Sequence, residues 1–254
     1  MAFLDPVLNP LFGNLMTNSP FLVILITAFV VSVLITFVYK LMTDQDLMKA
    51  MKDEQKSYQE KIKALKNQPE KMMALQKEMM SKNFDYMKHS FKPTLVTFIP
   101  IILIFGWLAG NFAYEPIYPG ETYSITATVL DGINEVEILL GAGSELVPGS
   151  NAIQTVKKNK VTWRLKSEEG PHEVTVSSGG DLATKKVLIT TDLLHEEQFE
   201  TYSHSDISKI EINYNKLKPL GDFSLFGWKP GFLGWYIILS LVFSIGLRKA
   251  FKIH

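Results

Sequence analysis

The sequence predicts a membrane protein with three transmembrane α-helices, a cytoplasmic helical hairpin between the first two, and an extracellular all-β insertion, an immunoglobulin-like sandwich, between the second and third. Three observations predict it. Apolar residues gather into three runs without a charge. Lysine and arginine crowd against one side of those runs and avoid the other. Between the second and third runs the hydrophobic period changes from helical to alternating. Averaged over the chain these contrasts vanish: 254 residues, zero formal net charge and 46% hydrophobic content would equally fit a soluble enzyme.

Residues 1–20 form an apolar arm. Phe3, Leu4, Val7, Leu8, Leu11, Phe12, Leu15 and Met16 make one stripe, and Asp5 ahead of Pro6 suits a helix start. The arm reads as a short helix lying in the outer interface, with an irregular lead-in as the alternative because Pro10 interrupts it. Residues 21–39 then run nineteen positions without a charge, which at 1.5 Å per residue is about 28 Å, close to the hydrocarbon thickness. No basic residue precedes this run and no small-residue cleavage site follows, so it reads as a span rather than a signal peptide. The second span, residues 94–112, contains Pro100, Gly106 and Gly110, which membrane helices tolerate. The third covers residues 231–247, with Trp235 and Tyr236 at its outer end, where an aromatic belt lies, and Trp228 nearby.

Orientation follows from basic residues beside the spans. Residues 1–20 hold none, residues 40–92 hold twelve lysines against eight acidic residues, and the tail 248–254 holds Arg248, Lys249 and Lys252. The hairpin and the tail are therefore expected in the cytoplasm and the amino terminus outside, in the cell membrane. The long segment 113–224 carries ten basic and seventeen acidic residues, which agrees with a translocated position.

Within residues 40–92, Thr43, Asp44, Gln45 and Asp46 look like a helix start, and Met51, Tyr58, Ile62 and Leu65 follow on one stripe. The pattern stops at Asn67, Gln68 and Pro69, then resumes as Met72, Leu75 and Met79. This predicts a two-helix coiled-coil hairpin with a short polar turn. Eight of the ten methionines lie here or on its approach, among them Met48, Met51, Met72, Met73, Met79 and Met80. Methionine adapts its shape cheaply and suits a surface that accepts many apolar partners. The same residues at helical spacing can be the seam of the hairpin, although Met72 with Met73 and Met79 with Met80 are too wide for one seam. The lysines suit ribosomal RNA or anionic lipid, or simply a solvated face.

Polar residues inside the spans fall mostly in their cytoplasmic halves. Ser32, Thr36 and Lys40 share one face at steps of four, as do Ser240, Ser244 and Arg248, while Thr94 and Thr97 open the second span. Converging, these faces would make a groove open to the cytoplasm and closed by apolar side chains above. Hydroxyls bonded to their own helices, and Lys40 and Arg248 reaching the interface, are the other reading.

The segment 113–224 alternates at Tyr123–Val129, Glu135–Leu139, Val161–Leu165, Glu173–Val176, Lys186–Ile189 and Ile210–Tyr214, with Trp163 as a candidate core anchor. His172, His195 and His204 lie here without metal-ligand spacing. Cysteine is absent, which removes disulfides, thiolate metal sites and cysteine nucleophiles. No phosphate-binding glycine loop, zinc motif or nucleophile elbow occurs, so no metal, cofactor or enzymatic chemistry is expected.

The stretches YKLMTDQDLMKAM (39–51) and MMSKNFDYMKHSFKPTLVTFIPIILIFGWL (79–108), with the ending LGWYIILSLVFSIGLRKAF, resemble archaeal YidC-like membrane proteins. These belong to the YidC/Oxa/Alb insertase superfamily, which includes relatives in the eukaryotic endoplasmic reticulum. The resemblance covers everything but residues 113–224. It implies an insertase or chaperone for nascent or tail-anchored membrane proteins, with a cytoplasm-open hydrophilic groove and a hairpin that engages nascent protein or the ribosome, alone or with other insertase or translocon subunits. By position, Ser32, Thr36, Lys40, Thr94, Thr97, Ser240, Ser244 and Arg248 would line the groove. Bacterial members carry an arginine within the groove, whereas the basic residues here stand at helix ends. Two further readings remain open: a membrane-anchored interaction protein acting through its external β-domain, and a cation channel, disfavoured because no acidic residue lies in a span.

Overall fold

The computed structural model describes residues 3–65 and 67–253, and every side chain there except those of Asp85, His89 and Ser90. Met1, Ala2 and His254, at the ends of the expected arm and tail, and Lys66 of the hairpin lie outside the described residues. The chain divides into two compact units, one of Met1–Gly13, Phe21–Leu108 and Leu233–His254, the other of Asn14–Pro20 and Ala109–Phe232.

The first unit is helical. Helix α1 (Asp5–Phe12) starts with Pro6 in its first turn, continues through Pro10 and stops at Gly13, whose φ of 45° a side chain would resist. Helix α2 (Leu15–Asn18) is a single turn assigned to the other unit. The arm's stripe is shared out within α1 and its approach: Phe3, Val7 and Leu11 are exposed, while Phe12 stacks on Trp107 with ring centroids 5.5 Å apart and Asn9 Oδ1 accepts from Trp107 Nε1 at 2.7 Å.

Three helices are long and apolar enough to cross a membrane: α3 (Pro20–Met42), the Phe91–Phe112 part of α5 (Pro69–Phe112), and α6 (Phe232–Ala250). Edge-to-face rings join α6 to α3 through Phe21 with Trp235 (5.1 Å) and Phe29 with Phe243 (5.3 Å), and to α5 through Phe105 with Tyr236 (6.0 Å). The buried face of α3 is Val23, Ile24, Thr27, Ala28, Val31, Ser32, Thr36 and Tyr39, steps of three and four that keep one side of the helix against protein. Of α6, Trp235 is the buried residue.

Helix α4 (Gln45–Ala64) is capped by Asp44, whose Oδ1 accepts from the backbone N–H groups of Asp46 and Leu47, each at 3.0 Å. The helix does not break between the hairpin and the second span. Helix α5 runs 44 residues, about 66 Å at 1.5 Å per residue, through both Pro93 and Pro100. A membrane helix absorbs the lost proline hydrogen bonds where side chains and neighbours take up freed backbone groups.

The second unit contains nine strands in two antiparallel sheets. One has the order β3 (Ser144–Leu146), β5 (Lys160–Ser167), β1 (Tyr123–Val129), β9 (Ile207–Ile212), β8 (Phe199–Thr201); the other is β4 (Ile153–Thr155), β2 (Glu135–Leu140), β6 (Gly170–Ser178), β7 (Asp181–Ile189). Alternate residues of both sheets fill one core, including Ile125, Trp163, Leu165, Val174, Val176 and Ile189, and Trp163 Nε1 donates to the Ala152 carbonyl at 3.0 Å. Three strands, β3, β4 and β8, were not expected; each is three residues long, too short for a period to register. The last strand lies at Ile207–Ile212 rather than Ile210–Tyr214, because Asn213 turns its amide to Ser124 and Thr126 and Tyr214 leaves to stack on Tyr114.

Candidate functional site

The hairpin methionines separate into two sets. Tyr58 is buried in the seam between α4 and α5, Met48 on the same helix is 1% exposed, and Met51, Met72 and Met79 are half-buried. Of the two readings of Met48, a surface for apolar partners or a packing residue, its burial favours packing. Across the seam the Tyr58 hydroxyl donates to Glu78 Oε1 at 2.7 Å and Lys82 Nζ reaches Glu54 Oε1 at 3.2 Å. The bond to Glu78, followed by burial and the Glu78 and Glu54 charges, pushes the Tyr58 phenol up to about 12.

Met73 and Met80 come one residue after Met72 and Met79, about 100° further round the helix, and both are exposed. Phe84, Met87 and Phe91 are exposed too, and Leu95, Phe98 and Ile102 continue into the span. From Met73 the steps are seven, four, three, four, four, three and four, which hold all eight side chains on one face of α5. The result is an apolar track about 43 Å long that starts on the hairpin and runs onto the span. Five of its large apolar side chains lie before or at the start of the span, and the rest lie within it. Met87 is among the eight methionines that the sequence singles out; Phe84 and Phe91 were missed by the sequence reading, although their spacing from Met80 was visible.

The polar positions of the spans fall into three groups. Ser32 and Thr36 are buried on α3, with Thr27 a turn or more away donating to the Val23 carbonyl at 2.8 Å. Thr97 is also buried, but its hydroxyl is held by its own helix, 3.1 Å from both the Pro93 and Thr94 carbonyls. Thr94 is exposed, and Ser240 and Ser244 are half-buried. Lys40 and Arg248, both exposed, are brought to the opposite helix end: Lys40 Nζ lies 5.5 Å from the Phe251 ring centre and the Arg248 guanidinium 5.3 Å from that of Tyr39.

In the second unit His195 lies between Tyr114 (5.7 Å) and Tyr214 (5.5 Å), and burial pushes the Tyr214 phenol up. His172 Nε2 is 2.8 Å from the Glu168 carbonyl. Among the described residues no three acidic, histidine or cysteine side chains are grouped to hold a metal ion.

A three-span membrane protein with a protruding helical pair, an apolar track along it and a β-sheet domain is the class these features define. Residues 5–140, just over half the chain, match the family model described as integral membrane protein EMC3/TMCO1-like. The chain belongs to this insertase-related family, in which membrane protein insertion is the general role. The match takes in α1, α3, the hairpin, the second span, β1 and β2, and ends before α6. Comparison with curated proteins and with solved structures gave no match to either.

Proposed function

We propose that this protein is an insertase of the YidC/Oxa/Alb superfamily, of the archaeal YidC-like kind, that takes hydrophobic segments of nascent or tail-anchored membrane proteins onto the outer face of α5 and releases them into lipid. The observation that carries the reading is the continuous track from Met73 to Ile102. A client segment moving along it exchanges one apolar surface for another and never has to expose its full length to water, where each large apolar side chain would cost about 1.5–3 kcal/mol. Methionine at Met73, Met80 and Met87 tolerates clients of different shape.

The polar flank of the client has a different requirement, a path of lower cost than bare hydrocarbon. Ser32 and Thr36, buried on α3, are the residues of the groove, with Ser240 and Ser244 on α6 as its other wall; Lys40, Thr94, Thr97 and Arg248 belong to its mouth. In this reading the hairpin and the tail face the cytoplasm, the β-domain and the amino terminus face outward across the cell membrane, and the ribosome and other insertase or translocon subunits are partners at the hairpin. The β-domain is read as immunoglobulin-like. What supports it is the antiparallel β1–β5 pair in one sheet, the β2–β6–β7 set in the other, and the parallel bridge of Ile117 to Ile189 on β7.

Reconstitution into liposomes with a short single-span client, scored by protease protection, tests the reading. The wild-type chain should protect the client, and Met80→Glu with Phe84→Glu should remove protection while leaving the helical content intact. Full protection by that variant would sink the track. Deleting residues 116–222 should leave protection in place; its loss would favour an interaction protein working through the β-domain.

A further inference from the structure

Between the last strand and α6 lies a short loop whose tip carries an exposed ring on a left-handed backbone. Leu225 and Trp228 exchange backbone hydrogen bonds, N–H to carbonyl at 2.8 and 2.9 Å, and so close a two-residue turn on Phe226 and Gly227. Both turn residues have positive φ, 52° and 84°, the mirror-image turn that normally calls for asparagine, aspartate or glycine at its first position. A phenylalanine there is held in a backbone region that bulky side chains avoid. Its ring gains nothing from the chain in return, because Phe226 is fully exposed. Phe223 and Trp228 beside it are more than half exposed as well.

Three features say what covers this tip. The first is chain length: Trp228 precedes the first residue of α6, Phe232, by four residues, which reach at most about 14 Å, while the headgroup layer alone is about 5–7 Å deep. The second is composition, since an aromatic cluster with a tryptophan is the kind of surface that settles at headgroup level. The third is charge. The segment 216–230 carries Lys216, Lys218 and Lys229 against Asp222 alone, whereas residues 113–215 carry eight basic and sixteen acidic residues. Lys229 Nζ also closes the base of the loop on Asp222 Oδ1 at 2.6 Å, so the rings are presented from a tied base.

We propose that the Phe223–Trp228 loop is a lipid-binding wedge, with Phe226 seated where the headgroup layer meets the acyl chains and Lys216 and Lys218 against lipid phosphates. It is a second membrane contact of the β-sheet unit, in addition to its continuity with the spans, and it stands independently of the insertase reading.

The absence of cysteine makes the test direct, because one introduced thiol is the only one in the chain. The full-length variants Phe226→Cys and Phe223→Cys are each spin-labelled in liposomes of phosphatidylcholine with phosphatidylglycerol, and collision with oxygen is compared with collision with a water-soluble nickel chelate. Leu182→Cys, exposed in the β-domain, is the aqueous reference and Ile237→Cys, exposed on α6, the lipid reference. Labels in the loop should favour oxygen over nickel several-fold relative to Leu182 and approach Ile237. The Phe223 variant keeps the turn intact, so a disturbed turn in the other does not blur the result. Nickel access equal to that at Leu182 for both labels would overturn the wedge, and shielding from both reagents would overturn it in favour of a protein partner.

Discussion

The guanidinium of Arg248 lies over the ring of Tyr39, and one residue further along α3 the ammonium of Lys40 lies over the ring of Phe251. The two contacts run in opposite senses between the same helix ends, so each helix supplies one cation and one aromatic face. A double-mutant cycle on Arg248→Gln and Tyr39→Leu should give a coupling of about 0.5–1 kcal/mol by steric trapping in bicelles. Strict additivity of the two changes would mean that the pair does not join α3 to α6.

The hairpin methionines should differ in kind. Met48→Ala opens a cavity at a buried site of α4 and should lower stability by about 2–5 kcal/mol, read as faster amide exchange across α4. Met80→Ala, on the outer track, should stay within about 0.5 kcal/mol of wild type. Equal protection factors in the two variants would contradict the division into packing and track.

For the β-domain, Trp163→Ala should cost about 3–5 kcal/mol, since the indole is wholly buried and its N–H satisfies the Ala152 carbonyl. Limited proteolysis of the full chain should then cut within residues 123–212 while the spans remain protected.

Among the span hydroxyls, Thr97→Val removes a donor already committed to its own helix and should leave insertion near wild type. Ser32→Val with Thr36→Val should slow insertion of clients with charged flanks more than that of clients with neutral ones. An identical effect on both client types would remove these residues from a polar path.

The Asp222 carboxyl is held below the ordinary carboxylate value by its hydrogen bond to Lys229 and by that residue's charge. A depressed folded pKa contributes stability that is present above the unfolded value, about 3.9, and is lost as pH falls through the folded one. A spin label at Phe223→Cys should therefore keep its mobility down to about pH 4 and loosen only below it. Asp222→Asn should be loose at neutral pH with no step.

The three spans were legible because lipid imposes a single long requirement on each, and the cap at Asp44 and the turn before Pro69 because their chemistry is local. The long strands were legible from alternation. What escaped the sequence depended on pairing. The strands at Ser144–Leu146, Ile153–Thr155 and Phe199–Thr201 exist because a longer neighbour offers an edge, and nothing in three residues announces that. The role of Met48 depended on which side of α4 is buried, a question that composition cannot answer. The unbroken passage of α5 through Pro93 depends on the protein and lipid around the helix that take up the freed backbone groups, and these are not written in the local sequence.

That passage makes the hairpin and the second span a single lever. The arm from Phe91 to Pro69 is about 33 Å, so a tilt of about 10° at the bilayer sweeps the hairpin's far end by about 6 Å, close to the rise of one helical turn. A pull on the tip therefore reaches the span through one continuous helix, and Pro93, which lacks a backbone N–H, is the place where that helix bends most easily.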